Sequence, residues 1–255
     1  MIRLAEIWVY PVKSICGMRV DAAEVDAFGL VGDRRFMIVD AQNQFVTQRD
    51  WPSLARVRAR LAGATLELRA GDAVVEVPSE VEGAPRDVWV WGQEVAAVDA
   101  GADAAELLSD HLGLGVRLVR VHASSRRPAD PEHARAGDLI AFHDGFPHLL
   151  AHSASLDALN SRLERDVDMR RFRPNLVVEG GEAFVEDSWA TIEIGEMTFH
   201  AKKACGRCSV IDVDPDRGER GSAVLAELAR FRKLGRSINF GQNMVHDGQG
   251  TLRVF

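Results

Sequence analysis

Alternating apolar and polar positions run in short stretches up to about residue 100, with Gly, Asp and Asn between the stretches. A period of two is typical of half-buried β-strands, and the intervening residue types favour turns. The pattern predicts strands at residues 3–10, 35–39, 57–61, 65–69 and 73–77. Such strands indicate an antiparallel sheet or a small barrel in the N-terminal part of the chain.

Helical spacing first occurs at residues 103–112, where Ala and Leu fall on one face and Gly113 ends the run. A second helix is predicted from Ser153 or Ser155 to Leu163, and a third over residues 223–233. Strands are predicted at 116–121, 174–179, 190–194, 197–201 and 209–213, with an irregular loop at 124–137. We therefore predict a β-rich, mixed α+β chain with two domains, at residues 1–98 and 99–255.

Composition and charge narrow the possible functions. Hydrophobic residues make up 46% of the chain and charged residues 27%, which is ordinary for a globular protein with a core. The formal charge of −7 argues against nucleic-acid or anionic-membrane partners, because both favour an excess of Lys and Arg. No apolar run approaches the roughly 18 residues of a membrane span, and the N-terminus lacks a secretory signal pattern. We expect a cytoplasmic protein.

Two segments have the groups needed to bind an anion. Lys13 and Ser14 follow a strand that ends at a proline, so an ammonium, a hydroxyl and backbone N–H groups are presented together. Arg34 precedes another apolar strand, where alternation sends Arg34 and Arg35 to opposite sides, and we assign Arg34 to the anion site. The alternatives are a solvated lysine in a turn and an ion pair between Arg34 and Asp33.

A third basic segment leads directly into a predicted buried strand. Arg173 and Asn175 lie at its entrance, where a guanidinium is costly unless it meets a carboxylate, a phosphate or a polar heterocycle. An amide beside a fork-shaped cation suits the edge of a pterin-like ring. Structural capping of the sheet is the alternative.

Three cysteines, Cys16, Cys205 and Cys208, are too few and too unevenly spaced for a disulfide framework, and they fit a reducing compartment. Positive charge from Lys203 and Arg207 favours the thiolate that nucleophilic and metal-ligating cysteines require. Three interpretations compete: a dithiol redox centre, a structural zinc site, and one thiolate bound to a soft redox metal.

The sequence lacks a feature that a dithiol redox centre requires and a feature that a zinc site requires. A thioredoxin-like Cys-x-x-Cys should open a helix, whereas the residues after Cys208 indicate a strand. Zinc needs four ligands, and only His200 lies near the cysteine pair in sequence. A molybdenum centre needs one cysteine, because a cofactor dithiolene and oxo groups supply its other ligands.

Taken in order, these segments resemble the MOSC proteins with an N-terminal β-barrel domain, similar to the mitochondrial amidoxime-reducing components and their bacterial counterparts. The resemblance covers nearly the whole chain and rests on Tyr10-Pro11-Val12-Lys13-Ser14, Gly32-Asp33-Arg34, Phe172-Arg173-Pro174-Asn175, Glu186-Asp187-Ser188-Trp189, Cys205-Gly206-Arg207-Cys208 and Val213-Asp214-Pro215. It implies an N-terminal β-barrel domain at residues 1–98 and a β-barrel MOSC domain with flanking helices at residues 99–255.

The resemblance also implies roles for individual residues around the molybdenum cofactor. Residues that match Lys13, Ser14 and Arg34 contact its phosphate, and those that match Arg173 and Asn175 lie along its pterin. The cysteine that matches Cys208 is the catalytic ligand to the metal, and it leaves Cys205 as a neighbour without an assigned role.

The implied function is reduction of small N-hydroxylated compounds, with electrons from a separate ferredoxin-like or flavin protein. No bound iron–sulfur cluster or flavin is expected, because the cysteines are too few and no Gly-x-Gly-x-x-Gly follows a strand. Arg126, Arg127 and Arg135 are a candidate docking patch for an acidic electron carrier, with solvated loop charge as the alternative.

Two other functions stay open: a sulfur or cofactor carrier without N-hydroxy reductase turnover, and a binding protein with a structural cysteine pair. Candidate proton donors are His143, His152 and Asp187, although isolated residues of these types are often structural.

Overall fold

The computed structural model describes residues 2–254. This part of the chain has three α-helices, Ala102–Leu112 (α1), Ser153–Asn160 (α2) and Ala223–Phe231 (α3), and four 3₁₀ helices at Pro52–Arg56, Met169–Phe172, Val185–Ser188 and Ser209–Asp212. Its eighteen strands, in chain order, are Arg3–Val9 (β1), Met18–Val20 (β2), Ala22–Asp26 (β3), Gly29–Leu30 (β4), Phe36–Val39 (β5), Arg58–Ala62 (β6), Thr65–Ala70 (β7), Ala73–Pro78 (β8), Arg86–Val90 (β9), Gln93–Asp99 (β10), Arg117–Val121 (β11), His148–His152 (β12), Leu176–Glu179 (β13), Thr191–Ile194 (β14), Met197–Gly206 (β15), Lys233–Leu234 (β16), Ser237–His246 (β17) and Gly250–Arg253 (β18).

The largest sheet joins both ends of the sequence. Its order is β14-β15-β17-β12-β13-β1-β2, with β16 paired to β17. The strands β12 and β13 are parallel, and the other pairs in this sheet are antiparallel. Three smaller sheets have the orders β5-β11-β10-β9, β18-β3-β4 and β6-β7-β8. The predicted β-rich, mixed α+β fold class is confirmed.

Most predicted elements are present, but the region around the cysteine pair differs. The strand predicted at 197–201 extends as β15 to Gly206, and the strand predicted at 209–213 is wrong, because Ser209–Asp212 forms a 3₁₀ helix. The cysteine pair therefore lies where a long strand ends and a short helix begins.

Helix α2 ends earlier than predicted, at Asn160. Its N-terminal cap is the ring of His152, which accepts a hydrogen bond from the backbone N–H of Ala154.

Two strands of the central sheet carry no alternating pattern. All five residues of β12 are buried, and most of β17 is buried or half-buried. A strand that is covered on both faces needs no polar positions, so its sequence does not reveal the period of two. These two strands lie at the middle of the sheet that supports the site.

Residues 2–254 contain four apolar clusters. Helix α1 packs with residues of β5 to β8 in one cluster, whereas α2 and α3 pack around Phe172 and Phe240 in another. The rings of Phe172 and Phe240 stack with centroids 4.0 Å apart. Within residues 2–254, none of the helices has the length and apolar character needed to cross a bilayer.

One aromatic ring connects the end of β1 to two arginines. Tyr10 is buried, and the guanidinium carbons of Arg34 and Arg173 lie 4.5 Å and 4.4 Å from its ring centroid. Cation–π contacts of this kind are strongest when the groups are removed from water. Gly17 makes room for the ring, because a Cβ there would lie 2.4 Å from Cε1 of Tyr10.

We expect Gly17→Ala to destabilise the protein by roughly 1–3 kcal/mol, because the added methyl group must displace a closely packed ring. Gly115→Ala is the matched control, since a Cβ at Gly115 would meet nothing within 4 Å. Urea unfolding of both variants measures the difference. Equal midpoints for the two variants would contradict the proposed packing constraint.

Candidate functional site

A cleft of about 650 Å³ opens where the two parts of the chain meet. Its walls come from the segment after β1, the loops around residues 47–49 and 143–149, the turn before β13, and the β15–β17 region. All six predicted site residues line this cleft: Lys13, Ser14, Arg34, Arg173, Asn175 and Cys208. The tertiary structure therefore brings together segments that lie far apart in the sequence.

The backbone is strained at three of these residues. Ser14, Arg34 and Arg173 have φ values of 69°, 48° and 55°, in the left-handed region that residues other than glycine rarely adopt. Such conformations cost about 1–3 kcal/mol each and persist only where surrounding contacts fix them, often at functional sites. The strain therefore lies on the wall that carries the predicted anion-binding groups.

Lys13 is a buried cation and not the solvated turn lysine that was the alternative. Its ammonium donates to the backbone oxygen of Phe142 at 2.8 Å and to the carboxylate of Asp144. Burial lowers the pKa of Lys13, and the charge of Asp144 opposes this effect. An ammonium has three N–H donors, so two fixed contacts leave one available to a ligand in the cleft.

The Asp33 carboxylate lies behind the cleft wall with 0% of its surface exposed. It accepts hydrogen bonds from the backbone N–H of Tyr10 at 2.7 Å and from Nδ2 of Asn175 at 3.0 Å, and it pairs with Arg34. Burial alone would raise the pKa of Asp33, but Arg34, His143 and the Tyr10 N–H hold it well below its usual range. The carboxylate is therefore a permanent negative charge beneath the cleft.

Arg34 forms the predicted alternative ion pair with Asp33 and also lines the cleft. Its guanidinium donates to Oδ1 of Asn175 at 3.1 Å and to the backbone oxygen of Arg173 at 3.2 Å. Arg35 is directed elsewhere, with two hydrogen bonds of 2.7 and 2.8 Å to Asp26. The predicted separation of the two arginines is therefore found, although both precede β5.

Groups of the chain itself occupy all the hydrogen-bonding positions of the Asn175 side-chain amide. Its Nδ2 donates to the backbone oxygen of Trp8 at 3.2 Å and to Asp33, while Oδ1 accepts from Arg34 and from the Leu149 N–H at 3.2 Å. An amide has two donors and two acceptor positions, so this set is complete. Asn175 holds Arg34 in place, and its contact with a pterin ring stays a prediction.

The two cysteines of the pair have different surroundings. Cys208 is exposed at the start of the Ser209–Asp212 helix, whereas Cys205 is half-buried and accepts a hydrogen bond from Arg207 at 2.9 Å. Among residues 2–254, the one group of three possible metal ligands that lie together is Asp130, Glu132 and His133, which contains no cysteine. A structural zinc site at the pair therefore lacks ligands.

The dithiol interpretation fails for a different reason than the one drawn from sequence. A helix does follow Cys208, but it is a four-residue 3₁₀ helix after an antiparallel strand. The redox motif of thioredoxin-like proteins belongs to a βαβ unit instead. One exposed thiol at the cleft remains as the group that suits metal binding.

Two histidines line the cleft, and sequence reasoning missed one of them. The ring of His143 accepts from the Ala141 N–H at Nδ1, so its Nε2 donates to Asp33 at 3.0 Å. His148 is buried, and its Nε2 donates to Nδ1 of His246 at 3.0 Å, because the other His246 nitrogen donates to a backbone oxygen. The Nδ1 atom of His148 thus carries a lone pair without a partner among the described residues.

The other candidate proton donors lie away from the cleft. The Nε2 of His152 bonds to the backbone oxygen of Gly180 at 2.9 Å, and Asp187 pairs with Arg232 and Gln242. His148, the histidine that was not predicted, differs from the other histidines in the sequence only by its position at the start of the apolar strand β12. That signal is too weak to assign a role.

Two of the three arginines of the predicted docking patch on the 124–137 loop, Arg127 and Arg135, have partners within the chain. Arg127 is buried and donates to the backbone oxygens of Ala141 and His143, at 2.9 and 2.6 Å. Arg135 pairs with two carboxylates, those of Asp138 and Asp247. Arg127 and Arg135 therefore stabilise the loop. Arg126 is exposed and donates to the backbone oxygens of Ala123 and Ser125, so docking of a partner at Arg126 stays a prediction.

Two family descriptions account for most of the chain. Residues 1–114 match the MOSC N-terminal beta barrel domain, and residues 138–254 match the MOSC domain. The chain belongs to the MOSC family. The boundary of the two MOSC domains after residue 98 stays a prediction.

Several named proteins are similar to this MOSC chain. Mitochondrial amidoxime-reducing component 1 of Homo sapiens is 34% identical over 98% of this chain and 80% of that protein. Mitochondrial amidoxime reducing component 2 of Bos taurus is 34% identical over 84% of this chain and 67% of that protein. A molybdenum cofactor sulfurase of Drosophila mojavensis is 29% identical over 90% of this chain, which spans 30% of that longer protein.

The buried ring of His143 should make the free energy of unfolding depend on pH. Burial lowers the pKa of His143 to about 4, although Asp33 favours the charged ring. An unfolded histidine titrates near 6.5, so between pH 6.5 and 4 the unfolded chain binds a proton that the folded chain does not. The free energy of unfolding should therefore fall with falling pH, by at most about 1.4 kcal/mol per pH unit from this group.

We expect His143→Gln to make this pH dependence shallower, because an amide can donate to Asp33 and does not titrate. Urea unfolding at pH 7 and pH 5 compares the variant with the parent protein. The same loss of stability in both would contradict the assignment of a neutral His143 beneath the cleft.

Proposed function

We propose that this MOSC protein is a molybdenum-cofactor-dependent reductase of small N-hydroxylated compounds. The observation that carries the proposal is the cleft itself, where an exposed thiol, Cys208, shares one space with Lys13 and Arg34. Relatives named amidoxime-reducing components support the choice of reaction.

The residues present fit the cofactor by their chemistry. Cys208 supplies a thiolate ligand, and the cations Lys13 and Arg34 with the Ser14 hydroxyl suit a phosphate. Two buried polar atoms on the cleft wall, Nδ1 of His148 and Nε of Arg207, have no hydrogen-bond partner within residues 2–254. Unpaired buried polar atoms are costly, so a polar ligand in this cleft would relieve both.

Each wall of the cleft would hold one part of the cofactor. Lys13, Ser14 and Arg34 bind its phosphate, Arg173 lies along its pterin, and Asn175 fixes the Arg34 guanidinium. Both cations already have a carboxylate partner, Asp33 for Arg34 and Asp144 for Lys13, so each would offer the phosphate a hydrogen-bond donor with a partly neutralised charge. Cys208, which lines the same cleft, would supply the thiolate ligand to the metal.

When bound, the cofactor supplies a centre that exchanges two electrons. The overall reaction consumes two electrons and two protons, breaks the N–O bond of R–NH–OH, and releases R–NH₂ and water. Burial lowers the pKa of His148 well below its usual range, so its ring stays neutral. Its free Nδ1 can accept a hydrogen bond from the substrate hydroxyl and hold that group in the cleft.

The electrons come from a separate ferredoxin-like or flavin protein under this proposal. With Cys208 assigned to the metal, two other free cysteines remain, which is fewer than an iron–sulfur cluster needs. A cytoplasmic location stays a prediction, and the amidoxime-reducing relatives are named as mitochondrial.

The purified, cofactor-loaded chain should reduce benzamidoxime, a simple N-hydroxylated probe, when reduced viologen supplies the electrons. With NADH or NADPH it should turn over only after a partner reductase is added. Steady-state assays with and without the partner measure this. Robust turnover with NADH and the chain alone would contradict the proposal of a separate donor.

A sulfur or cofactor carrier is the second candidate function, favoured by the similarity to a molybdenum cofactor sulfurase and by the exposed thiol of Cys208. A carrier would hold a persulfide or the cofactor without reducing an N-hydroxylated compound. Metal analysis and mass spectrometry of the purified chain separate the two. Molybdenum near one atom per chain together with turnover of benzamidoxime supports the reductase, whereas a persulfide without metal, or molybdenum without turnover, supports the carrier.

The variant Cys208→Ser should lose at least about 100-fold in reductase activity, because even residues that only support a metal ligand contribute about 10–100-fold. Cys205→Ser is the matched control and should be milder, since that thiol is bonded to Arg207. The electronic spectrum of the metal should change in the Cys208 variant alone. Equal loss in both variants would reject the assignment of the ligand.

A further inference from the structure

A second cavity of about 530 Å³, here named the arginine cavity, adjoins the cleft. It shares Gln48, Arg173 and Val210 with the cleft, and the buried ring of Tyr10 lines it. Seven arginines line this one space: Arg19, Arg58, Arg60, Arg69, Arg170, Arg171 and Arg173. Only Glu67 and Asp216 supply negative charge among the lining residues. Such a concentration is notable in a chain with a formal charge of −7.

Carboxylates neutralise some of these arginines but not all. Arg170 and Arg171 each pair with an aspartate at 2.9 Å, and Arg69 lies 3.8 Å from Glu67. Within residues 2–254, Arg58 and Arg60 have no carboxylate within ion-pair distance, and both are exposed at the cavity. The cavity therefore keeps unpaired positive charge.

The register of the adjoining hairpin adds a like-charge contact. Arg58 of β6 lies directly opposite Arg69 of β7, on the face that lines the cavity. Like charges at directly opposed positions destabilise an antiparallel pair. An anion held between the two guanidinium groups would attract both of them.

Buried polar atoms without hydrogen-bond partners give an independent indication that the arginine cavity binds a ligand. Four buried side-chain atoms within residues 2–254 have no hydrogen-bond partner. Two of them belong to residues that line the proposed cofactor cleft, and the other two, Oη of Tyr10 and Nε of Arg171, belong to residues that line the arginine cavity. Burial raises the pKa of Tyr10, so its hydroxyl keeps its proton and needs an acceptor. Both atoms are therefore donors without an acceptor.

We propose that the arginine cavity binds a phosphorylated small molecule at a site separate from the cofactor cleft. Phosphate oxygens accept several hydrogen bonds at once and match the planar fork of a guanidinium. The volume lies within the range of roughly 300–1,000 Å³ that small-molecule sites occupy. The residues that carry the unpartnered donors line a concave space, which a small anion fits and the surface of an acidic protein does not.

Calorimetric titration of the cofactor-loaded protein with pyrophosphate and with ADP, at 0.15 M salt, tests the proposal. We expect saturable binding of one molecule per chain, weakened at least tenfold by the double substitution Arg58→Gln and Arg60→Gln. Arg165→Gln is the control, since this exposed arginine lies outside both cavities. Tighter binding of ADP than of pyrophosphate would indicate a nucleotide, and equal binding would indicate phosphoryl groups alone.

Two further variants separate this site from the cofactor cleft. Tyr10→Phe removes only the unpartnered hydroxyl, so it should weaken pyrophosphate binding without lowering the stability of the free protein. Lys13→Met alters the cleft and should leave pyrophosphate binding unchanged. Absence of binding, or binding that is lost in Lys13→Met and kept in the Arg58 and Arg60 variant, would overturn the proposal. Neither outcome depends on reductase activity.

Discussion

The buried carboxylate of Asp33 connects three of the segments that line the cleft. It accepts from the Tyr10 backbone at the end of β1, from the amide of Asn175 before β13, and from the ring of His143. Taking a carboxylate out of water costs several kcal/mol unless its lone pairs are satisfied. Here four donors satisfy it, so the carboxylate can be buried only when all three segments are in place.

This constraint explains why Arg34 keeps a strained backbone. Its guanidinium is held at once by Asp33, by Asn175 and by the backbone oxygen of Arg173. Three contacts over-determine one side chain, and they offset the cost of its left-handed φ of 48°. A cation fixed in this way loses little further conformational entropy when an anion binds.

The ring of Tyr10 is the second element on which the site depends. The guanidinium groups of Arg34 and Arg173 both contact it, so the electron-rich ring offsets part of the repulsion between two nearby positive charges. The same ring lines the arginine cavity, and the two arginines that it contacts line the cleft. The two spaces are thus built on shared residues but carry different sets of unpartnered donors.

The sequence by itself determined the β-rich class, the short N-terminal strands and the set of candidate residues that the cleft brings together. These follow from local periodicity, from charge and from the order of short motifs, which need no tertiary contact. Only the tertiary structure decided which side chains these candidate residues contact. The bond between Arg34 and Asn175 spans 141 positions in sequence, and Asp33 was foreseen only as a local ion-pair partner.

The same limit explains the errors. Nothing in the loop composition shows that Arg127 turns inward or that Arg135 meets Asp247, because backbone oxygens and carboxylates of distant segments satisfy these cations. The helix after Cys208 was missed because its apolar residues are buried by packing against α3 and not by pairing in a sheet. Periodicity reports how a segment is exposed, and only the folded chain decides which neighbour covers it.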